Sequence, residues 1–362
     1  AASWPPCAAI MVSPNTPETP GGAASASRPA RSIQDVVIRL AGNSQDGIQS
    51  IGGFLARLAG RSAQDVITYM TIPSTISGGP SIFQVRMGTG EILSSGDRAD
   101  MLVAFYQHSY DAHIGSLRAG GVLIYDSDHV KPAAEDHRFT HVAVPITGAT
   151  VEAVGGTSKD KGKNIFILGL IARIFDLDVT KLTALIQERF GGNHEDVVRN
   201  AMLAFDAGYA WPQNNIRDLF FRFDAAEHAA ATGHPQITLD GNSAIAYGLI
   251  AAGVRHGAAY PITPWSSIME ILRTELPKYG GIFVQCEDEI ASISTALGFS
   301  YAGRVAITGS SGPGLSLKME GLSWATMAEM PLIVVNVQRG GPSTGLPTSV
   351  EQSDLLQAIY GS

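Results

Sequence analysis

Ala259-Tyr-Pro-Ile-Thr-Pro264, Val284-Gln-Cys-Glu-Asp-Glu289, Gly309-Ser-Ser-Gly-Pro-Gly314 and Val337-Gln-Arg-Gly-Gly-Pro-Ser-Thr-Gly-Leu-Pro-Thr348 follow one another within residues 240–348. Between them run apolar segments, 282–284, 305–308 and 331–337, each short and followed by a polar or glycine-rich turn and then a small-residue helical stretch. Such runs bounded by turn residues read as strands, and strands alternating with helices read as a parallel sheet with crossover connections. In a sheet of that kind the loops at the carboxyl ends of the strands open onto one crevice. Residues dozens of positions apart can meet there, so the four motifs are candidates for a single site.

The totals bound what surrounds that site. A chain of 362 residues is long enough for two domains with a core in each, and its 45% hydrophobic content and 40 glycines fit an α/β protein with many tight turns. Lys and Arg number 25 against 33 Asp and Glu, and the resulting charge of −8 is spread along the chain, which leaves no nucleic-acid footprint. The two cysteines are Cys7 and Cys286; with Cys7 in an expected tail, a structural disulfide is disfavoured and a reducing cytoplasm is the expected compartment. Two thiolates also fall short of the about four that hold a cubane iron-sulfur cluster, so any such cluster belongs to another chain. No apolar run approaches the ~18 to 20 residues that cross a bilayer. Residues 1–32 lack the basic start and long apolar centre of a secretory signal, are rich in Pro, Ala, Ser and Gly, and are expected to be disordered, with Met11 a candidate natural start.

From Ile33 the pattern changes. Val36-Val-Ile-Arg-Leu40 reads as a strand, Ala41-Gly-Asn-Ser-Gln-Asp-Gly47 as a turn and 48–59 as an amphipathic helix that ends at Gly60. A glycine loop between strand and helix is either a structural turn or a place where backbone N–H groups meet a ligand, and its spacing matches neither a dinucleotide fingerprint nor a Walker loop. Residues 66–70, 82–86, 100–105, 121–125 and 141–145 continue an alternating β/α series around Ser77-Gly-Gly-Pro80. Helices follow over 163–175, 180–190 with Thr180 or Asp178 as cap, and 199–209. The scattered His108, His113, His129 and His137 have no metal-ligand spacing. The organisation expected is a tail over 1–32, an α/β domain over 33–209, a linker over 210–235 marked by Trp211-Pro212 and Thr232-Gly-His-Pro235, and a parallel-sheet α/β domain over 236–362.

Two features of that second domain have two readings each. Thr263, between Pro261-Ile262 and Pro264, is on a turn stiffened by two prolines, where its hydroxyl either caps the helix that follows or meets a ligand. Glu287-Asp288-Glu289 sits where a strand meets a helix; carboxylates favour a helix's first turn, but one withdrawn into an apolar site can exchange a proton.

Taken together, Gly241-Asn-Ser-Ala-Ile-Ala-Tyr-Gly248, Tyr260-Pro-Ile-Thr-Pro264, Glu289 with Gly298 and Ala302-Gly303 after it, Ser310-Ser-Gly-Pro-Gly-Leu-Ser316 and Arg339-Gly-Gly-Pro-Ser-Thr-Gly345 resemble the 2-oxoacid:ferredoxin oxidoreductases, and among them a fused gamma-alpha subunit. Residues 33–190 resemble the family's gamma domain more loosely, through 41–47, 77–86 and 164–190.

The resemblance implies a thiamine diphosphate enzyme whose pyrimidine-binding half is this second domain. It makes Glu289 the partner of N1′ of the aminopyrimidine, with Pro261 and Ile262 as further cofactor contacts, Thr263 a donor to the substrate, and Arg339 the residue that pairs with the substrate carboxylate. A guanidinium offers a fixed fork of donors that a lysine cannot imitate. Coenzyme A enters as cosubstrate, with Arg86 a candidate contact. The chain carries no Gly-Asp-Gly with a following Asn pair and no cluster cysteines. Mg²⁺, the diphosphate and a [4Fe-4S] cluster are therefore expected on a beta subunit, in an (alpha-beta)2 heterotetramer with ferredoxin as electron acceptor. The chain stops at Ser362, where the family's alpha part continues with another domain, so a remainder is expected. The motif pattern looks most like enzymes of 2-oxoglutarate; pyruvate or branched-chain 2-oxoacid enzymes, and a non-catalytic assembly module of the same fold, are the alternatives. A nucleotide-binding oxidoreductase working through 42–47 is weakened by the missing Gly-x-Gly-x-x-Gly.

Overall fold

The computed structural model describes residues 30–71, 79–133, 136–155, 162–192, 195–224, 237–341, 346, 351 and 353–361. The chain divides into two units, Ala1–Thr238 and Leu239–Ser362.

The first unit is built on β1 (Arg31–Ile33), β2 (Asp35–Asn43), β3 (Asp65–Thr71), β4 (Pro80–Gly88), β5 (Ala99–Ala104), β6 (Leu117–Asp126), β7 (Thr140–Val144) and β8 (Phe221–Phe223). Six of these form one sheet in the order β3-β4-β2-β5-β6-β7. β4 is antiparallel to both β3 and β2, while β5, β6 and β7 join in parallel, so the expected alternating series gives way to a mixed sheet. The reason lies in the length of the connection: β3 ends at Thr71 and β4 begins at Pro80, which leaves fewer residues than the dozen or more that a parallel crossover needs. The two faces of β2 obey the period of two that a strand imposes. Val36, Ile38 and Leu40 enter one core cluster with Ile51, Leu55 and Ile167, whereas Val37 and Ala41 enter another with Leu102, Leu123 and Tyr110.

Helix Ile48–Arg61 runs through Gly60, past the expected stop, and closes only at Ser62. Asp178 caps Val179–Phe190 by accepting from Lys181 N at 3.0 Å. The helix expected over 199–209 extends over Glu195–Asn215 and contains Pro212. It packs on Lys163–Ile174 with the backbones in contact, because Gly208 faces the carbonyl of Phe166 and Gly169 faces that of Phe205, and a Cβ at either would clash. Helix and β8 therefore occupy the first half of the expected linker, and β8 pairs in parallel with β1, which takes Arg31 and Ser32 out of the expected tail. The rest of that linker, residues 225–235, the tail up to residue 29, and Ser77-Gly78 lie outside the described residues.

The second unit holds β9 (His256–Ala259), β10 (Ile282–Gln285), β11 (Ala306–Ser311) and β12 (Leu332–Val337), all parallel in the order β10-β9-β11-β12. Its inner strand β9 carries Gly257, where a Cβ would meet Phe283 and Ile307 from the strands on either side at 2.7–2.8 Å. Helix Gly241–Ala251 leads into β9, and helices Ser266–Glu275, Glu289–Tyr301 and Met319–Met327 cross between the strands. Trp265, with no exposed surface, packs its ring against Gly309 of β11 and anchors the turn that follows β9.

Candidate functional site

The carboxyl ends of the four parallel strands lead to Thr263 after β9, to Glu289 at the start of the helix after β10, to the 310–314 stretch where β11 passes into a short helix, and to Arg339 after β12. Their arrangement starts at Thr263. Its peptide bond to Pro264 is cis, and the helix behind it begins with Trp265 in the cap position and no side-chain cap, so Thr263 is not the cap of that helix. Its side chain is exposed and makes no hydrogen bond among the described residues, leaving the hydroxyl available to a ligand. Asn242, in the first turn of Gly241–Ala251, holds the turn from behind by donating to Pro264 O at 3.0 Å and to Ser267 Oγ at 2.7 Å.

The main-chain oxygen of Thr263 accepts twice, from Ser311 Oγ at 3.1 Å and from Arg339 Nη1 at 3.1 Å. Arg339 is only 7% exposed, and burial pulls its proton affinity below that of a free guanidinium. Gly312 lies under it: a Cβ at that position would come within 3.2 Å of Arg339 O. Pro261 and Ile262 lead into the same turn, both half-buried, Ile262 against the core and accepting from Ser266 N at 3.1 Å.

The acidic triplet separates by role. Glu287 and Asp288 are exposed, and Asp288 is the cap of Glu289–Tyr301, accepting from Ala291 N at 2.7 Å. Glu289 is 7% exposed, and its carboxylate makes no hydrogen bond or ion pair among the described residues. Gly314 packs on it so closely that a Cβ would stand 2.9 Å from Oε1. The stretch 310–314 thus touches Thr263 through Ser311, Arg339 through Gly312 and Glu289 through Gly314. A buried carboxylate without a partner is costly. It fits a ligand that brings its own N–H, as a protonated pyrimidine nitrogen does, so this donor set suits the aminopyrimidine of thiamine diphosphate.

Two further spaces open beside these groups. A polar cavity of about 350 Å³ lies against Gly312, Pro313, Gly341, Ser353 and Asp354. An apolar groove of about 590 Å³ begins at Ile290, next to Glu289, and continues along Leu297, Tyr301, Leu317 and Trp324. Among the described residues no group of three or more His, Cys, Asp and Glu could hold a metal ion, and no helix is long and apolar enough to cross a membrane. Arg86 belongs to the first unit, where its guanidinium grips Asp35 Oδ2 at 2.6 and 2.8 Å and Ser94 Oγ at 3.2 Å. Residues 342–345, 347 and 348, the rest of the arginine motif apart from Leu346, lie outside the described residues.

Asn242 and Ser311 lie within the motifs quoted from the sequence but receive no role there, and Lys318 is not singled out. Lys318 is wholly buried, its Nζ donating to Glu289 O at 3.1 Å and to Thr308 Oγ1 at 3.0 Å. The signal available was a lone cation inside the otherwise uncharged run 310–319.

Residues 247–361 match the family model described as pyruvate flavodoxin/ferredoxin oxidoreductase, thiamine diP-binding, and residues 37–211 match pyruvate ferredoxin/flavodoxin oxidoreductase. The chain is 36% identical over 375 residues to the 2-oxoglutarate oxidoreductase subunit KorA of Mycobacterium tuberculosis, an alignment covering 95% of this chain and 57% of that protein. It is 52% identical over 124 residues to the 2-oxoglutarate synthase subunit KorA of Archaeoglobus fulgidus, covering 34% of this chain and 36% of the relative. Among solved structures, 2-oxoglutarate:ferredoxin oxidoreductase from Magnetococcus marinus, with 2-oxoglutarate, coenzyme A and succinyl-CoA bound, superposes with a TM-score of 0.82 at 36% identity over 91% of this chain and 57% of that one. The chain spans little more than half the length of these full-length counterparts.

Proposed function

The chain belongs to the 2-oxoacid:ferredoxin oxidoreductase family, and from that premise we propose that it is the gamma-alpha part of an enzyme that oxidatively decarboxylates 2-oxoglutarate to succinyl-CoA and CO2 and passes the electrons to ferredoxin. The observation that carries the reading is the side chain of Glu289, 7% exposed and without a hydrogen-bond partner among the described residues, packed against the 310–314 stretch that also touches Thr263 and Arg339. When bound, thiamine diphosphate supplies the carbon nucleophile and the electron sink that decarboxylation of a 2-oxoacid needs.

This chain's residues do the rest of the work on its side of the site. Glu289 shares a proton with N1′ of the pyrimidine, a task that an exposed carboxylate performs poorly because water competes for the proton. Pro261 and Ile262 supply a half-buried apolar wall beside it. Arg339, tied to Thr263 O through Nη1, orients the substrate carboxylate, and the Thr263 hydroxyl donates to the substrate from the same turn. Arg86 is the candidate contact for coenzyme A, its charge shared with Asp35.

A beta subunit completes the site in this proposal, bringing Mg²⁺, the diphosphate pocket and a [4Fe-4S] cluster within an (alpha-beta)2 assembly in a reducing cytoplasm. The apolar groove from Ile290 to Trp324, opening next to Glu289, supports a protein partner there. The deciding experiment is Glu289→Gln in the complex co-purified with its partner. Decarboxylation of 2-oxoglutarate, followed by thiamine- and coenzyme-A-dependent dye reduction, is expected to disappear while the complex still assembles; undiminished turnover would remove Glu289 from the chemistry. Turnover of pyruvate or branched-chain 2-oxoacids in preference to 2-oxoglutarate by the wild type would reassign the substrate.

A further inference from the structure

Helix Gly241–Ala251 is capped by Asp240, which accepts from Ser243 N at 2.9 Å and from Ser243 Oγ at 2.7 Å. Asn242 stands between the two and has no capping duty of its own. Its side chain leaves the helix instead: Nδ2 donates to Pro264 O at 3.0 Å and to Ser267 Oγ at 2.7 Å, 22 and 25 positions further along the chain.

Pro264 O is the last of three successive carbonyls that are each held. Ile262 O accepts from Ser266 N at 3.1 Å, Thr263 O from Ser311 Oγ and Arg339 Nη1 at 3.1 Å each, and Pro264 O from Asn242. The donors come from three directions: the helix that follows the turn, the ends of β11 and β12, and helix Gly241–Ala251. A peptide unit is planar, so a held carbonyl fixes the plane it belongs to. The proline ring locks φ at residue 264, which leaves ψ of that residue as the free rotation between the Thr263 plane and the buried Trp265. The bond from Asn242 removes that rotation. Thr263 O has two donors, whereas Pro264 O has Asn242 alone among the described residues.

The residue in the middle of this turn uses none of that restraint for itself. Thr263 is exposed, and its hydroxyl makes no hydrogen bond among the described residues. A backbone held at three consecutive positions beneath a side chain that binds nothing is arranged for a contact from outside, because a group fixed in advance loses less freedom when its ligand arrives.

We propose that Asn242 is a positioning residue for the substrate: by holding Pro264 O it fixes the direction in which the turn presents the Thr263 hydroxyl. The proposal rests on the role given to Thr263 above.

The test is a double-mutant cycle in the complex of this chain with its partner subunit, with kcat and KM for 2-oxoglutarate read by thiamine- and coenzyme-A-dependent dye reduction. Thr263→Val replaces the hydroxyl by a methyl, and Asn242→Ala removes the amide. With Thr263 in place, Asn242→Ala is expected to lower kcat/KM about 10- to 100-fold, the loss that a misplaced contact group brings. In the Thr263→Val background the same substitution is expected to change kcat/KM less than about twofold, because no hydroxyl is left to aim. An asparagine that merely supports the fold costs the same factor in both backgrounds; that result, or no loss from Asn242→Ala with Thr263 in place, overturns the proposal and leaves Thr263 in its role. Undiminished kcat/KM in Thr263→Val alone overturns the role of Thr263 and the proposal with it. Should Asn242→Ala fail to assemble, Asn242→Gln takes its place in the cycle, keeping the amide but displacing it from Pro264 O, with the same expected and overturning results.

Discussion

Arg339 Nη1 donates to the main-chain oxygen of Thr263 across 3.1 Å, although 76 positions separate the two residues in the chain. Ser311 Oγ shares that oxygen at the same distance, so one carbonyl ties together the turns after β9, β11 and β12. The Arg339 guanidinium and the turn that carries the Thr263 hydroxyl are therefore held at a single point.

Arg339→Lys tests that coupling. A lysine keeps the charge but offers one ammonium in place of a planar fork, so it cannot both reach Thr263 O and hold a substrate carboxylate in fixed geometry. We expect kcat/KM for the 2-oxoacid to fall about 10- to 100-fold, the equivalent of one charge-assisted hydrogen bond, while the melting temperature of the assembled complex changes little. Steady-state kinetics beside thermal unfolding would separate the two, and a variant with unchanged kinetics would take Arg339 out of substrate binding.

Gly314→Ala probes the space on the Glu289 side. The added methyl would press on Ser310 Oγ and stand 2.9 Å from Glu289 Oε1, inside van der Waals contact with a buried carboxylate. Overpacking of this kind costs about 1 to 3 kcal/mol. The expected outcome is weaker thiamine diphosphate binding by calorimetry together with a lower melting temperature; unaltered affinity would mean that Glu289 does not face the cofactor.

Lys318 makes a statement about stability versus pH whose sign can be fixed in advance. Its folded value, about 8, lies below the ordinary 10.5. Between those values the unfolded chain binds more protons than the folded one, so stability rises with pH across the window, and below about 8 the burial penalty is present in full. At about 1.36 kcal/mol per unit, wild type is expected to gain up to about 3 kcal/mol relative to Lys318→Met between the two values. Denaturant unfolding of both complexes across that range gives the difference directly; parallel curves would show that the lysine is not desolvated. A cation that lowers stability at neutral pH is placed for something other than holding the fold.

How far these relations could be read from the chain depends on the kind of interaction. The parallel strands of the second unit were legible because short apolar runs such as 331–337 are bounded by turn residues and alternate with helical stretches, and their order of turns placed the motifs at one end of a sheet. Glu289 was legible only as one of three carboxylates. What distinguishes it from Asp288 is one residue of helical phase: Asp288 stands at the cap and bonds Ala291 N, while Glu289 starts the helix and turns inward. In the first unit the sequence places the β3-β4 pair in an alternating β/α series, because periodicity identifies strands but carries no information about direction. Pro212 pointed to a break, yet the packing of Gly208 on Phe166 carries the helix through it. Asn242, Ser311 and Lys318 were not legible as a group, because each acts on a backbone oxygen, and a bond to a backbone oxygen leaves no mark on the residue that accepts it.

The strand order β10-β9-β11-β12 also bears on when the site can exist during synthesis. β9 can pair with β10 as soon as residue 285 has emerged, but its other edge waits for β11 at residue 306, and Arg339 follows β12 later still. Until that last strand is added, the Thr263 carbonyl has no guanidinium to receive, and β11 remains an open edge able to pair with a neighbouring nascent chain. Translation that pauses between 311 and 332 would prolong that exposed interval, and it is there that chaperone capture of this polypeptide has the most to protect.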